Sequence, residues 1–254
     1  MNVFSIVIVC KNEARIIGDT LKSLLGITDD IIVYDNGSTD DTVSIIKKFP
    51  VQLHTGTWEG FGKTKNKAAA FARYDWILSL DADEAIDETL KKSLLAFNGK
   101  NEKTIYRLRF RNYLGNKPIK YGEWGNDWHP RIYNRKTVQW DNEPVHEKLV
   151  LPPGFVTRQL EGFVLHRTAY DIPDYAHKTV KYAMLTAEKY HHQGKRSSWW
   201  KIRVSPAFTF INYYILKAGF LDGYAGYVCA KMTAHYTFLK YARLKELEQM
   251  IRGS

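Results

Sequence analysis

A chain of 254 residues with 44% hydrophobic and 25% charged residues has the composition of a folded globular protein, which excludes disordered and fibrous classes; at about 150 residues per domain it makes one large domain or a catalytic domain with an extension. Its two cysteines, Cys10 and Cys229, lie far apart and outside any CxxC, so a disulfide framework and a cysteine-rich zinc site are excluded and a reducing compartment is expected. The 37 Lys and Arg against 27 Asp and Glu leave a net charge of +10, and with 7 Trp, 16 Tyr and 12 Phe this balance suits nucleic acid, an anionic membrane or a phosphorylated ligand.

The opening run Val3 to Val9 is apolar and rich in β-branched residues, as a strand buried on both faces of a parallel sheet requires. No basic residue precedes it and no small-residue cleavage site follows it, so it predicts a first strand and a cytosolic protein rather than a signal peptide. Ile16, Ile17, Leu21, Leu24 and Leu25 then recur at helical spacing, with Gly26 as the stop. Ile31 to Tyr34 predicts a second strand. Ser38 and Asp41 resemble a capping pair for a helix over Thr42 to Phe49, which Pro50 ends. A third unit starts at Val51 and continues into a helix over Lys63 to Ala72, and Trp76 to Leu80 is a fourth strand. Four strand–helix units predict an open, mostly parallel α/β sheet flanked by helices, with ligands at the carboxyl ends of its strands. Past Asn98 the pattern loosens: Tyr106 to Arg111 reads as a half-exposed strand with a basic face of Arg107, Arg109 and Arg111. From Asp174 the helical period returns and helix formers dominate to Gln249. A boundary near Thr168 therefore separates a catalytic domain, 1–168, from a helical C-terminal extension, 169–254. The apolar stretch Val204 to Leu216 is shorter than the ~20 residues of a membrane span.

Asp81-Ala82-Asp83 stands where a buried strand ends, and two carboxylates so spaced on a turn can both face a hard cation that also grips a diphosphate. Alone, such a triplet reads more readily as a solvated strand-to-helix turn. Here Asp35 terminates the second strand, and Asp35-Asn36-Gly37-Ser38-Thr39-Asp40 adds a carboxylate and a glycine turn leading into a helix N-terminus. Two acidic strand ends can share one nucleotide.

In these segments the chain resembles the inverting nucleotide-sugar transferases of glycosyltransferase family 2, which have the Rossmann-like GT-A fold. The matching pieces, in order, are Ile6-Val7-Ile8-Val9-Cys10-Lys11-Asn12-Glu13, Val33-Tyr34-Asp35-Asn36-Gly37-Ser38-Thr39-Asp40 and Leu80-Asp81-Ala82-Asp83-Glu84. Trp128-His129-Pro130-Arg131, Val145-His146-Glu147 and Gly219-Phe220-Leu221-Asp222-Gly223 narrow the likeness toward bacterial lipopolysaccharide core β-glucosyltransferases. The resemblance implies a UDP-sugar donor bound by Val9, Asn12, Glu13, Asp35, Lys63, Asp81, Ala82 and Asp83. It further implies Mg2+ or Mn2+ at Asp81 and Asp83, direct inversion without a covalent sugar intermediate, and a lipid-linked saccharide acceptor. Asn36 replaces the second acid common in the strand-end motif. The Glu-Asp pair and the Gln-x-x-Arg-Trp run of processive members are both missing, which disfavours a polysaccharide synthase.

The missing Glu-Asp pair leaves the general base open between two residues. Glu147 follows His146 in a loop after Pro144, where this subgroup carries its His-Glu pair, and ranks first; Asp127 lies between Trp124 and Trp128, whose faces could hold a sugar ring. Each reads alternatively as a loop salt bridge. His166 is a third metal ligand or a buried structural histidine. Lys63, Lys65 and Lys67 border the donor diphosphate or form a solvated helix face. Trp199-Trp200-Lys201-Ile202-Arg203 and the aromatic helix after it suit the anionic headgroup layer on the cytosolic face of the inner membrane, or else pack as core. Two rival functions stand beside glycosyl transfer. Nucleotidyl transfer would want a glycine-rich basic loop after the first strand, which Cys10-Lys11-Asn12-Glu13 is not. A nucleic-acid-binding module would want clustered rather than scattered cations, so nucleic acid is not expected as a partner.

Overall fold

Seven residues that are all apolar or small make β1, Phe4–Cys10, and its two faces enter different cores. Phe4, Ile6 and Ile8 pack with the α1 side of the sheet, while Val7 packs with Ile32, Ala68 and Ile77 on the other. The computed structural model describes residues 4–142 and 147–252. After β1 come α1 (Ile17–Leu24), β2 (Ile31–Asp35), α2 (Thr42–Ile46), β3 (Gln52–Thr55), α3 (Phe61–Ala70) and β4 (Trp76–Asp81). Next are β5 (Glu84–Ile86), α4 (Glu88–Leu95), β6 (Thr104–Leu114), β7 (Lys117–Pro118), β8 (Asp127–Asn134), β9 (Gln139–Trp140), β10 (Leu149–Val150) and β11 (Val156–Ala169). The chain ends in α5 (Ile172–His192), α6 (Trp199–Ile211) and α7 (Gly223–Arg252).

The main sheet runs β3-β2-β1-β4-β8-β6-β11-β5, with β7 on β6. It is parallel from β3 to β4, where helices supply the crossovers; β8 returns antiparallel against β4, and β5 against β11 and β7 against β6 are antiparallel too. The sheet is therefore mixed, with the expected parallel half carried by the first four α/β units.

α1 spans Ile17–Leu24, and in the turn before it the Glu13 and Ala14 amides donate to Thr42 Oγ1 (2.7 Å) and Asp40 Oδ2 (3.2 Å). One local expectation changes. Ser38 does not cap α2. Its hydroxyl donates to Asp35, and Asp40 Oδ1 accepts from the Thr42 amide at 3.0 Å. The expected stop at Gly26 holds, with φ of 78°.

The described chain divides into two compact units. The first comprises the residues up to Phe110 together with Trp128–His166, and the second Arg111–Asp127 together with the residues from Arg167 onward. In the second unit α5 and α6 each pack along α7. Asp171 caps α5 by accepting from the Asp174 amide at 2.8 Å, and Asp222 Oδ2 accepts from the Lys120 and Tyr121 amides at 2.9 and 2.8 Å. Among the described residues no helix is long and apolar enough to cross a membrane.

In the first unit α3 lies close against β9, and Gly62 makes this approach possible: a Cβ there would stand 1.7 Å from the Asp141 carbonyl oxygen. Gly62→Ala is expected to force the two apart and to destabilise the protein by about 1–3 kcal/mol, read as a lower urea midpoint with an unchanged m-value.

Candidate active site

The register of β1 brings the two acidic strand ends to one edge. Cys10 opposes Asp35 on one side of β1 and Val9 opposes Asp81 on the other, so the two acids stand about 10 Å apart by strand spacing. Asp35 is buried and holds its own turn: Oδ2 accepts from the Gly37 and Ser38 amides at 3.1 and 3.0 Å, and Oδ1 accepts from the Ser38 hydroxyl. Gly37 allows this turn with φ of 78°. The Cys10 thiol donates to Asp35 at 3.7 Å, and burial and that carboxylate push its pKa well above the ordinary thiol range, so it is inert.

Asn12 adopts φ of 57° and joins the loop after β1 to the loop after β2. Its amide donates to Ser38 Oγ and its Oδ1 accepts from the Thr39 amide, both at 2.8 Å. Val9, Asn12, Glu13 and Asp35 are thus neighbours at one rim.

At the end of β4 the acids divide their roles. Ala82 is buried and its carbonyl accepts from Thr20 Oγ1 at 2.7 Å, which anchors the turn to α1. Asp81 faces two cations, with Lys65 Nζ 3.1 Å from Oδ1 and Arg131 Nη2 3.3 Å from Oδ2. Lys65 reaches a second carboxylate, Glu147 Oε1, at 2.8 Å, and Arg131 also binds Glu84. Glu84 Oε2 in turn accepts the Asp81 amide at 3.0 Å. The alternating chain Glu147, Lys65, Asp81, Arg131, Glu84 therefore contains three carboxylates and two cations.

The electrostatics follow from this alternation. Burial works against the Lys65 charge, but Asp81 and Glu147 more than offset it and raise its pKa, so it stays an ammonium. Burial would raise the Asp81 pKa, yet Lys65 and Arg131 hold it well below the usual carboxylate range. Glu84 is pushed up to about 7 by burial, against Arg131 and with help from Asp81. A cavity of about 540 Å3 opens on this chain, lined by Asp81, His129, Pro130, Arg131, Trp140, Glu147, Lys148, Leu149 and Leu151.

Asp83 stands apart from that network and faces His166, with Oδ2 3.4 Å from Nε2. β5 and β11 bring them together, since Glu84 pairs with His166 across the ladder. Burial disfavours the charged ring, but Asp83, then Glu84 and Asp81, reverse this and raise its pKa to about 9. One carboxylate and one imidazole, each about a quarter exposed, would be open to a divalent cation only once the ring gives up its proton, because the imidazolium that Asp83 favours has no lone pair to offer. Among the described residues no group of three or more His, Cys, Asp or Glu is arranged to hold a metal, and Asp81, expected as a ligand beside Asp83, instead faces Lys65 and Arg131.

The remaining expected residues lie elsewhere. Lys63 is exposed on α3, outside the charge network. Asp127 belongs to the second unit, where Oδ2 accepts from Asn112 Nδ2 at 2.8 Å. Trp124 leans on Tyr175 with ring centroids 5.1 Å apart, and Trp128 lies under the Arg109 guanidinium in the first unit. Pro144, Val145 and His146 fall outside the described residues. The network brings in Arg131 and Glu84, which the matching segments contain without a role, and Lys65, which the sequence offers only as one of three lysines at the diphosphate or on a solvated helix face. For Lys65 a signal exists: Ala68, Ala69 and Ala72 follow it at helical spacing and are buried, so Lys65 shares their face while Lys63 and Lys67 do not.

Arg131→Met is expected to leave Glu84, whose side chain is 2% exposed, without its cation, so that it must take up a proton or stand as an uncompensated buried charge. The cost should be about 3–5 kcal/mol in denaturant unfolding, and Glu84→Gln in the same chain should recover part of it.

The family model for glycosyl transferase family 2 matches residues 5–150, more than half of the chain. The chain is 28% identical to an uncharacterized glycosyltransferase of Rickettsia prowazekii, RP128, over 97% of its own length and 88% of that protein's. It is also 28% identical to the lipopolysaccharide core biosynthesis glycosyltransferase LpsC of Rhizobium meliloti, over 93% and 90% of the two chains. Among solved structures, S. aureus TarS 1–349 in complex with UDP superimposes with a TM-score of 0.50 at 15% identity, covering 99% of this chain and 92% of that one, a likeness of fold. With the parallel half-sheet, the two acidic strand ends and the family match agreeing, the chain belongs to glycosyl transferase family 2 and is a glycosyltransferase with the GT-A fold.

Proposed function

We propose that this glycosyltransferase moves glucose, with inversion, from UDP-glucose to a lipid-linked saccharide in lipopolysaccharide core assembly. The observation that carries the proposal is the placement of Asp35 and Asp81 on either side of β1, with Glu147 two charge contacts from the donor edge. The name of LpsC supports the acceptor class, and the TarS complex, which shares the fold, supports UDP.

In this scheme the rim of Val9, Asn12, Glu13 and Asp35 receives the uridine. Asp83 and His166 would hold Mg2+ or Mn2+, with Asp81 and Ala82 shaping the turn beside it. A divalent cation bound there supplies neutralising charge for the diphosphate. The acceptor hydroxyl oxygen attacks the anomeric carbon and forms the new glycosidic bond. The bond from that carbon to the diphosphate oxygen breaks, its electron pair leaves with UDP, and the hydroxyl proton passes to Glu147. Glu147 is preferred to Asp127 as base because its carboxylate lines the cavity that Asp81 also lines.

A lipid-linked acceptor is supported by α6. From Lys195 to Leu221 the sequence carries five cations, at Lys195, Arg196, Lys201, Arg203 and Lys217, and no acid. α6 has no buried residue, and Trp199, Trp200, Phe208 and Leu216 are 56%, 67%, 62% and 68% exposed. Rings beside cations suit an anionic leaflet, which supports a peripheral position of the proposed enzyme on the cytosolic face of the inner membrane.

Two measurements test these assignments. UDP with Mn2+ should raise the melting temperature more than UDP with EDTA, by up to about 2.7 kcal/mol of stability at a hundred times Kd. Asp83→Ala and His166→Ala should remove that metal-dependent increment; an unchanged increment in both would refute the cation site. Separately, the protein should cosediment with phosphatidylglycerol vesicles and less so with phosphatidylcholine or at high salt. The Trp199→Ala, Trp200→Ala double variant should lose about tenfold in vesicle affinity if each ring is worth roughly 0.7 kcal/mol at the interface. Equal cosedimentation would mean that another partner, such as a second copy of the chain, covers these rings.

A further inference from the structure

Lys65 has a position that neither a diphosphate ligand nor a solvated helix face explains. It is 3% exposed on the buried stripe of α3, and its ammonium lies 2.8 Å from Glu147 Oε1, 3.1 Å from Asp81 Oδ1 and 4.8 Å over the Trp140 ring. Both carboxylates reach the 540 Å3 cavity, whereas Lys65 itself does not line it. Glu147 lies in a loop just before β10, which begins at Leu149; its neighbour Lys148 is tied to Asp141, whose amide donates to the Lys148 carbonyl at 2.8 Å and whose Oδ1 accepts from the Lys148 amide at 3.1 Å, and the Glu147 carboxylate itself is held by Lys65. The Lys65 backbone, by contrast, is fixed within α3, and Gly62 and Asn66 anchor that helix to β9: Asn66 Nδ2 donates to the Trp140 carbonyl at 2.9 Å and Oδ1 accepts from the Trp140 amide at 3.0 Å.

We propose that Lys65 is a positioning residue for glycosyl transfer: it fixes Oε1 of Glu147, so that Oε2 is the atom aimed at the acceptor hydroxyl, and through Asp81 it ties that aim to the donor edge of the sheet. The inference rests on Glu147 being the base. Lys65 touches neither substrate; it acts by holding one oxygen of a loop carboxylate against a rigid helix. One bond to each of two carboxylates sets the distance between the donor side and the acceptor side, and misplacing a reacting group by about 1 Å costs on the order of 10²-fold in rate.

The test is a double-mutant cycle on UDP release from UDP-glucose, with truncated-core lipopolysaccharide or water as acceptor. Glu147→Gln should lower kcat by about 10² to 10⁴ with donor KM nearly unchanged. Lys65→Met should lower kcat by about 10²-fold, yet in the Glu147→Gln background it should cost no more than about twofold, because residues that act as a unit are non-additive. Lys65→Arg, which keeps the cation on a head of different shape, should recover part of kcat. It also serves as the probe if Lys65→Met does not fold, with the same absence of further loss in the Glu147→Gln background. If Glu147→Gln lowers kcat but either Lys65 change multiplies that loss in full, the positioning role is overturned and the base assignment stands. If Glu147→Gln turns over like the wild type, or the wild type releases no UDP, the functional proposal fails and this inference fails with it.

Discussion

An ammonium 3% exposed to solvent is tolerable only where other groups replace its hydration, and in the first unit Asp81 and Glu147 do so for Lys65. Arg131 repeats the arrangement between Asp81 and Glu84. The two cations thereby decide where three carboxylates from three separate segments stand. β4 supplies Asp81, β5 supplies Glu84, and the loop before β10 supplies Glu147. Removing a carboxylate would strand a cation, and removing a cation would leave carboxylates facing one another without a counter-charge, so the geometry of the group is set as a unit.

Around that group the sheet provides the frame. β1 is buried on both faces and paired in parallel on both edges, which makes its carboxyl end the place where the loops after β1, β2 and β4 meet. The loops are joined by side chain to backbone bonds rather than by apolar packing. Asn12 reaches Ser38 and Thr39, Thr42 and Asp40 take the amides of Glu13 and Ala14, and Thr20 holds Ala82. A rim built in this way gives the Asn12, Glu13, Ala14 and Thr39 amides acceptors while staying open to a polar ligand.

The second unit is organised on a different principle. Its helices are fixed by caps and by the buried Asp222, and α5 and α6 share α7 as their support. One side of α6 keeps large apolar groups in water at a free-energy cost, a feature that a folded chain sustains where a partner covers it. The acid-free run of cations around those rings is why an anionic surface was proposed as that partner.

Local sequence determined what depends on local order. The β-branched runs and helical periods sufficed for the parallel strands β1 to β4 and the helices between them, and the ordered motifs at Asn12, Asp35 and Asp81 to Asp83 sufficed for the family and its α/β fold. Buried stripes are periodic and strand-end acids follow apolar runs, so both can be read along the chain. Tertiary structure alone decided the rest. That the sheet turns antiparallel at β8 depends on which edge receives a strand after a long excursion, and no local pattern records it. Asp81 and Asp83 look alike in sequence, yet one faces two cations and the other a histidine 83 residues further on. Lys65 looks like its neighbours Lys63 and Lys67, but the helix face it shares with Ala68 and Ala69 turns it inward, and only the fold brings Glu147 to meet it. Charge pairing inside a protein is a relation between distant segments, and its partners are chosen by the packing that removes them from water.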